Sequence, residues 1–439
     1  MSNQAAVIDT AFDLPPPEAR AATATTAPTP ASLGDLLHEW SPVIGRDLRP
    51  LGVRVQIRRL NADRQSSATL AATLDAVVNG FMHEGGASFP HGWVILAPQD
   101  MALDASMLTW NAPRNVVLEL PASVLQDEVS LRSLLDVHRC GARFALRLQA
   151  HEPIPDNRRL ALFQYVVTDV ARLQGQSSPL LTGDAHVIAL DDGNTAHATE
   201  ALKGRLHAVA GWALVSPNTI TEHALAPMQQ AVLNLIRLAQ TDAEVEALES
   251  AFKGEPILSY MLLTLANSPA FIRTTPIASL RHAITLLGYR RLVKWLVLLL
   301  VVASKNAKAL PQIYGAVARG FLMENLAAAN RASPNTQDEC FVVGAFSLMG
   351  AITGQPLPAL LQQVALPEAV VNALLHQTGP LACYLKLALA MEHTAQSTNA
   401  NPLAERIVTA THDAHLELEA VNRALLQALC ATDALQSVV

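Results

Sequence analysis

The densest set of potential metal ligands is His412, Asp413 and His415, in the run THDAHLELE near the C-terminus. His412 and His415 stand three apart and could share a helix face. No third ligand is spaced to complete a cage, so the run reads as a solvated helix surface. The four cysteines, Cys140, Cys340, Cys383 and Cys430, lie far apart without a Cys-x-x-Cys pair. This spacing predicts reduced, buried thiols and excludes a zinc ribbon. Two groups of basic residues remain. Arg54, Arg58, Arg59 and Arg147 could bind an anion or could pair with Glu119 and Asp169. Arg281, His282, Arg290, Arg291 and Lys294 straddle a helix-Gly-helix connection, a spacing shared with DNA-binding helix-turn-helix units. The segment that follows is too apolar to lie exposed in a groove.

The elements that would position these residues fall into three regions. Residues 1–31 form a tail rich in Pro, Ala and Thr, with too little apolar content to bury. Residues 32–217 alternate short β-like runs with helical stretches, the pattern of an α/β domain on parallel strands. The candidate strands begin at Val53, Gly92, Val116, Arg143, Gln164, His186, Leu206 and Gly211. Eight strands suggest a closed (β/α)8 barrel, in which residues at the C-terminal strand ends carry the chemistry. The clearest helices run from Ser67 to Met82, Ser123 to Val137 and Ala196 to Lys203.

Residues 218–439 read as all-helical. Within 241–304 four consecutive helices are expected. Thr241 and Glu244 have the spacing of a capping box, Pro256 suits a first helical position, and Asn267-Ser268-Pro269 is a stop. Ser279 caps the third helix, and Gly288 sits where a left-handed residue is wanted. The run Trp295 to Ala303 is apolar on every side but about half the ~18 to 20 residues needed to span a bilayer, so it reads as a core helix. A net charge of −7 without a long basic run argues against nucleic acid as partner. The lack of a signal peptide or a long apolar run gives a cytoplasmic protein without a membrane span as the expectation.

Two resemblances sharpen this reading. EPILSYMLLTLANSPAF followed by PIASLRHAITLLGYRRL resembles the HDOD domain, an all-helical bacterial module related to metal-dependent HD phosphohydrolases but lacking their ligands. The likeness implies that the position of the histidine-aspartate pair falls on Ser347 and Leu348, which cannot hold a metal. SPVIGRDLRPLGVRVQIRRL, VVLELPASVLQDEVSLRSLLDVHRCGARFALRL and GWALVSP resemble the EAL domain, the barrel that hydrolyses cyclic di-GMP with two divalent metals. Carried over by position, its signature glutamate falls on Arg54 and its metal-binding asparagine on Leu96. Its paired aspartates fall on Arg147 and Leu148, its catalytic lysine on Val167 and a later glutamate on Leu190. Glu119 alone keeps the family's chemistry.

Two-metal catalysis needs several hard oxygen ligands and shared carboxylates, and one glutamate cannot supply them. The resemblances therefore imply a degenerate barrel joined to an HDOD domain, with no catalytic, metal or cofactor residues. The implied function is a non-enzymatic signalling regulator in cyclic di-GMP-linked output such as motility or biofilm behaviour. Its partners would be other signalling proteins, and its docking surface would include Asn267, Phe271, Arg281, Arg290 and Arg291. One alternative is a receptor that reads cyclic di-GMP through Arg54 and Arg147 without hydrolysing it. Another is an active phosphodiesterase.

Overall fold

The computed structural model describes residues 31–436, leaving out 61–67, 83–88, 100, 174–179, 181–185, 205, 217–224, 226, 242, 268–276, 278, 303–308, 365 and 393–399. The chain divides into two compact units. One holds the residues up to Leu214 together with Ala390–His412 and Leu416–Val439; the other holds Val215–Leu389 with Asp413–His415.

The first unit is a closed barrel of eight strands in sequence order: β1 Leu36–Gly45, β2 Pro50–Arg59, β3 Trp93–Pro98, β4 Val116–Pro121, β5 Phe144–Leu148, β6 Tyr165–Asp169, β7 His186–Leu190 and β8 Ala208–Ala210. Neighbours from β2 to β8 are parallel, whereas β1 is antiparallel to both β2 and β8. The count of eight matches the expectation, but its membership does not. The run from Leu36 to Gly45 is a strand beyond those expected, and one short strand stands where Leu206 and Gly211 would each open one. The reason is physical. Every residue of β1 is buried, so the strand lacks the apolar-polar alternation that marks a half-exposed strand. After Ala210 the chain turns away, because the Asp191 carboxylate accepts the Ala213 N–H at 2.8 Å.

Helices α1 Leu70–Phe81, α2 Glu128–Arg139 and α3 Thr195–Lys203 lie close to their expected places. Thr69, Asp127 and Asn194 cap them through side-chain oxygens. The barrel interior is an apolar layer of Val43, Ile95, Val117, Ala145, Tyr165, Val167, Ile188, Leu190, Ala208 and Ala210.

A tight turn joins β1 to β2, so no crossover helix covers β1 from that side. The C-terminal end of the chain supplies the cover. The Trp40 N–H donates to the Met391 carbonyl, and the buried Asn422 amide donates to the carbonyls of Leu33 and Leu36 at 2.7 Å each. The Asp433 carboxylate accepts the Gly92 N–H at 3.0 Å. An all-helical domain running to residue 439 was expected, whereas 390–412 and 416–439 belong to the barrel unit.

The helical unit contains α4 Pro227–Gln240, α5 Val245–Lys253, α6 Pro256–Ala266, α7 Leu280–Val302, α8 Leu310–Ala329, α9 Pro334–Phe346, α10 Met349–Thr353, α11 Leu357–Gln363, α12 Glu368–His376 and α13 Ala382–Ala390. The last two helices, α14 Ala400–Asp413 and α15 Leu418–Gln436, return to the barrel. The expected third and fourth helices are the two arms of α7. They meet at Gly288, whose φ of 69° is positive as the position predicts, while its ψ of 160° makes it an extended conformation open to glycine rather than a left-handed helical one.

The capping box does not form. Glu244 is the N-cap of α5 without a side-chain bond, and the Thr241 hydroxyl donates back to the carbonyls of Arg237 and Leu238 at the end of α4. Ser279 does cap α7, accepting the His282 N–H at 3.3 Å. The polar run RASPNTQDE holds the start of α9, with Ser333 as N-cap and Pro334 in the first turn. Leu296, Val297 and Leu300 of the apolar run are fully buried in this unit. No described helix is long and apolar enough to cross a membrane.

Candidate functional site at the barrel mouth

In a closed barrel, inward and outward side chains alternate along each strand. Val117 of β4, Ala145 of β5 and Val167 of β6 face inward, so two residues further on Glu119, Arg147 and Asp169 project into the mouth. Arg54 pairs in register with Ile95 and joins this set from β2. Glu39 of β1 stands opposite Gln56. Leu96 lies on the face opposite Ile95, and the inward position beside it is Ala97; neither side chain offers an oxygen ligand. Val167 and Leu190 belong to the apolar interior, and Leu148 is buried.

Arg54 and Glu119 form a two-pronged pair. Nε donates to Oε2 and Nη2 to Oε1, both at 2.7 Å, while Nη1 donates to Gln56 Oε1 at 3.2 Å. The two side chains are 3% and 2% exposed. Burial alone would lower the Arg54 pKa, but the charge and hydrogen bonds of Glu119, helped by the charges of Glu39 and Asp169, raise it above its ordinary value. A second pair stands at the outer edge of the mouth. Arg147 Nη2 reaches Asp169 Oδ1 at 2.6 Å, and its Nη1 donates to the Leu148 carbonyl at 2.8 Å. Arg54 and Arg147 thus pair with the carboxylates, the second of the two outcomes the sequence left open, whereas Arg59 donates to the Ala68 carbonyl.

The mouth is also covered on the β1-β2 side. Leu37, Glu39, Gln56 and Arg58 face Ala404 and Ile407 of α14 across a cavity of about 10 Å³, room for one water. Sequence reasoning missed Glu39 and this covering helix. Glu39 lies in the strand that went unread, and nothing local in 400–413 marks it as a barrel element.

The helical unit repeats the theme. Ser347 closes α9; its Oγ donates to the Gly344 carbonyl and accepts from Nη1 of Arg319, each at 2.6 Å. Arg319 is only 3% exposed, and Leu348 is buried. Helices α8 and α9 approach closely here, since a Cβ on Gly344 would lie 2.6 Å from the Arg319 carbonyl oxygen. Ser347 thus serves α9 and Arg319 with hydrogen bonds.

The expected docking residues are largely engaged within the unit. Arg281 pairs with Glu246 and with Glu249 at 3.2 Å, and Arg290 with Asp338 at 3.1 Å. Asn267 donates to the carbonyls of Leu263 and Ile277 and accepts the Ile277 N–H, tying the end of α6 to the start of α7. Arg291 is exposed, and Phe271 lies outside the described residues. Tyr260 and Ile257 of α6 are 71% and 58% exposed.

His412 and His415 are exposed, and His415, with φ of 54°, lies beyond the end of α14, so they share no helix face. Among the described residues no three His, Cys, Asp or Glu side chains converge as a metal cage. Cys340 and Cys430 are buried as expected, whereas Cys140, at the C-cap of α2, is exposed and Cys383 half-buried.

Comparison with known proteins gives three findings. The chain is 25% identical over 178 residues to the cyclic di-GMP phosphodiesterase CdgJ of Vibrio cholerae, covering 40% of this chain and 41% of that relative. The MmoQ response regulator of Methylococcus capsulatus aligns with 48% of this chain and 98% of its own length, at 20% identity and a TM-score of 0.22. Residues 225–365 match the HDOD domain, so the helical unit that carries Arg319 and Ser347 is built on that module.

Proposed function

We propose that this chain is a non-catalytic signal-transduction regulator in cyclic di-GMP-linked signalling. In this reading the EAL-like barrel has exchanged metal chemistry for internal ion pairs, and the helical unit engages other signalling proteins. The likeness to a cyclic di-GMP phosphodiesterase supports the pathway. The observation that carries the loss of activity is the guanidinium of Arg54 seated on both oxygens of Glu119. A permanent cation holds the carboxylate that a divalent metal would need, and it has no coordination position at which to activate a water. Ile407 and Ala404 beside the mouth narrow the entry further. With Arg54 buried and committed to Glu119, a nucleotide at the mouth would have Arg147 as its main contact.

The test is to incubate the purified full chain with cyclic di-GMP and magnesium or manganese and to measure the linear dinucleotide. None is expected. Hydrolysis that survives repurification and disappears on Glu119→Ala overturns the proposal. Saturable binding of intact cyclic di-GMP that is lost on Arg147→Ala would replace the scaffold by a receptor.

A further inference from the structure

The end of the barrel away from the arginine mouth carries a second constellation. Trp93 opens β3, Tyr165 opens β6, His186 opens β7, and His207 immediately precedes β8. Their rings form one cluster. Trp93 stacks on His207 with centroids 5.3 Å apart and planes 18° from parallel, His186 and His207 lie 5.0 Å apart, and Trp93 and Tyr165 lie 4.7 Å apart. Because β1 runs antiparallel, its last residues come to this same end and bring Arg46, while Arg143 stands just before β5.

Two features separate this cluster from a plug that only closes the barrel. Leu51, Trp93 and the buried Tyr165 already cover the apolar core, yet His186 is exposed and His207 half-buried. Arg46 and Arg143 are exposed and form no ion pair among the described residues, in a chain whose net charge is −7. Asp47, the carboxylate beside Arg46, is turned to Arg49, whose N–H it accepts at 3.2 Å. Both free arginines act on the rings. Burial, His186 and Arg46 together lower the His207 pKa, and Arg143 opposes the burial that pushes Tyr165 up to about 12.

We propose that this end of the barrel binds a nucleotide, its base laid against the Trp93, His207 and His186 rings and its phosphate held by Arg46 and Arg143. The pieces match that chemistry class. Nucleobases stack on aromatic rings whatever their identity, since every base has a π-face, and guanidinium groups take phosphate oxygens through paired charge-assisted hydrogen bonds. The site is independent of the mouth and of whether the barrel hydrolyses anything.

The experiment is calorimetric titration of the full chain with guanosine monophosphate, adenosine monophosphate and inorganic phosphate. Saturable binding of at least one nucleotide is expected, tighter than phosphate. The double variant Arg46→Ser with Arg143→Ser should weaken it about tenfold or more while keeping the wild-type unfolding midpoint, since both side chains are exposed. His186→Ala should weaken the nucleotide and leave phosphate unchanged, and Arg147→Ser at the mouth should leave both unchanged. The proposal is overturned if no nucleotide saturates the wild type, if the double variant binds like the wild type, or if Arg147→Ser abolishes binding.

Discussion

Substituting Glu119 by Leu removes one half of a buried ion pair and leaves the Arg54 charge in the barrel interior with its hydrogen bond to Gln56. Breaking such a pair from one side costs about 3–5 kcal/mol, because the remaining charge stays desolvated. Arg54→Met takes the two-pronged cation away from the Glu119 carboxylate and belongs in the same range. Replacing both, Arg54→Met with Glu119→Leu, removes the charges together and fills the space with apolar atoms. The double variant should therefore lie within about 1 kcal/mol of the wild type or above it in stability. The coupling in the double-mutant cycle is then several kcal/mol, well beyond the ~0.5 kcal/mol seen for independent sites.

Urea unfolding followed by tryptophan fluorescence suits this test, since Trp40, Trp93, Trp110 and Trp212 lie in the barrel unit and Trp295 alone in the other. With a slope of about 2 kcal/mol per molar urea, each single substitution should lower the barrel midpoint by roughly 1.5–2.5 M. Urea is preferred to guanidinium salts, which would screen the charges under study. If Glu119→Leu alone leaves the midpoint in place, or if the two losses simply add, the pair does not hold the barrel together and the argument from it fails.

Two further outcomes follow from the cover of β1. His38 is fully buried, neither ring nitrogen has a hydrogen-bond partner among the described residues, and burial lowers its pKa from 6.5 to about 3. The folded protein holds this ring neutral while the unfolded chain takes up a proton between those values, so stability is retained above pH 6.5 and lost as pH falls toward 3. The loss specific to His38 is about 2 kcal/mol by pH 5, and identical pH profiles for wild type and His38→Leu would refute it. Asn422→Leu leaves the Leu33 and Leu36 carbonyls without that donor, at a cost of about 2–4 kcal/mol. It should speed hydrogen exchange selectively at the β1 amides, and unchanged exchange there would show that α15 does not secure the strand.

Legibility in the sequence followed the range of the physics involved. Caps, stops and glycine turns act within four or five residues, and Ser279, Gly288 and Pro256 stand where their types predict. Thr241 shows the limit of that rule. Its hydroxyl serves the preceding helix, because two helix ends compete for one side chain and spacing alone does not say which prevails. β1 was illegible for another reason: polar His38, Glu39 and Ser41 are all buried in it, one set by the barrel interior and the other by a helix nearly four hundred residues away in the chain. The return of α14 and α15 to the barrel likewise depends on contacts of very long sequence separation. Amphipathic periodicity predicts that a helix has a buried face, not which unit buries it.

In each unit a buried guanidinium anchors the hydrogen bonding where resemblance implied a metal site: Arg54 on Glu119 in the barrel, and Arg319 on Ser347 in the helical unit. A guanidinium resembles a bound metal in being a permanent positive charge with directional contacts, so it can stabilise the same inward carboxylate or hydroxyl. It differs in having no exchangeable coordination position, and so it cannot lower the pKa of a water or polarise a phosphoryl oxygen by direct ligation. Substitutions of this kind keep the charge balance that a fold needs while removing its Lewis acid. In the proposed reading a barrel altered in this way keeps its shape and surfaces, which is the property a signalling scaffold requires, and gaining turnover would take more than placing a glutamate at position 54. Arg147 would have to be displaced as well, and Ala404 and Ile407 would have to leave the mouth.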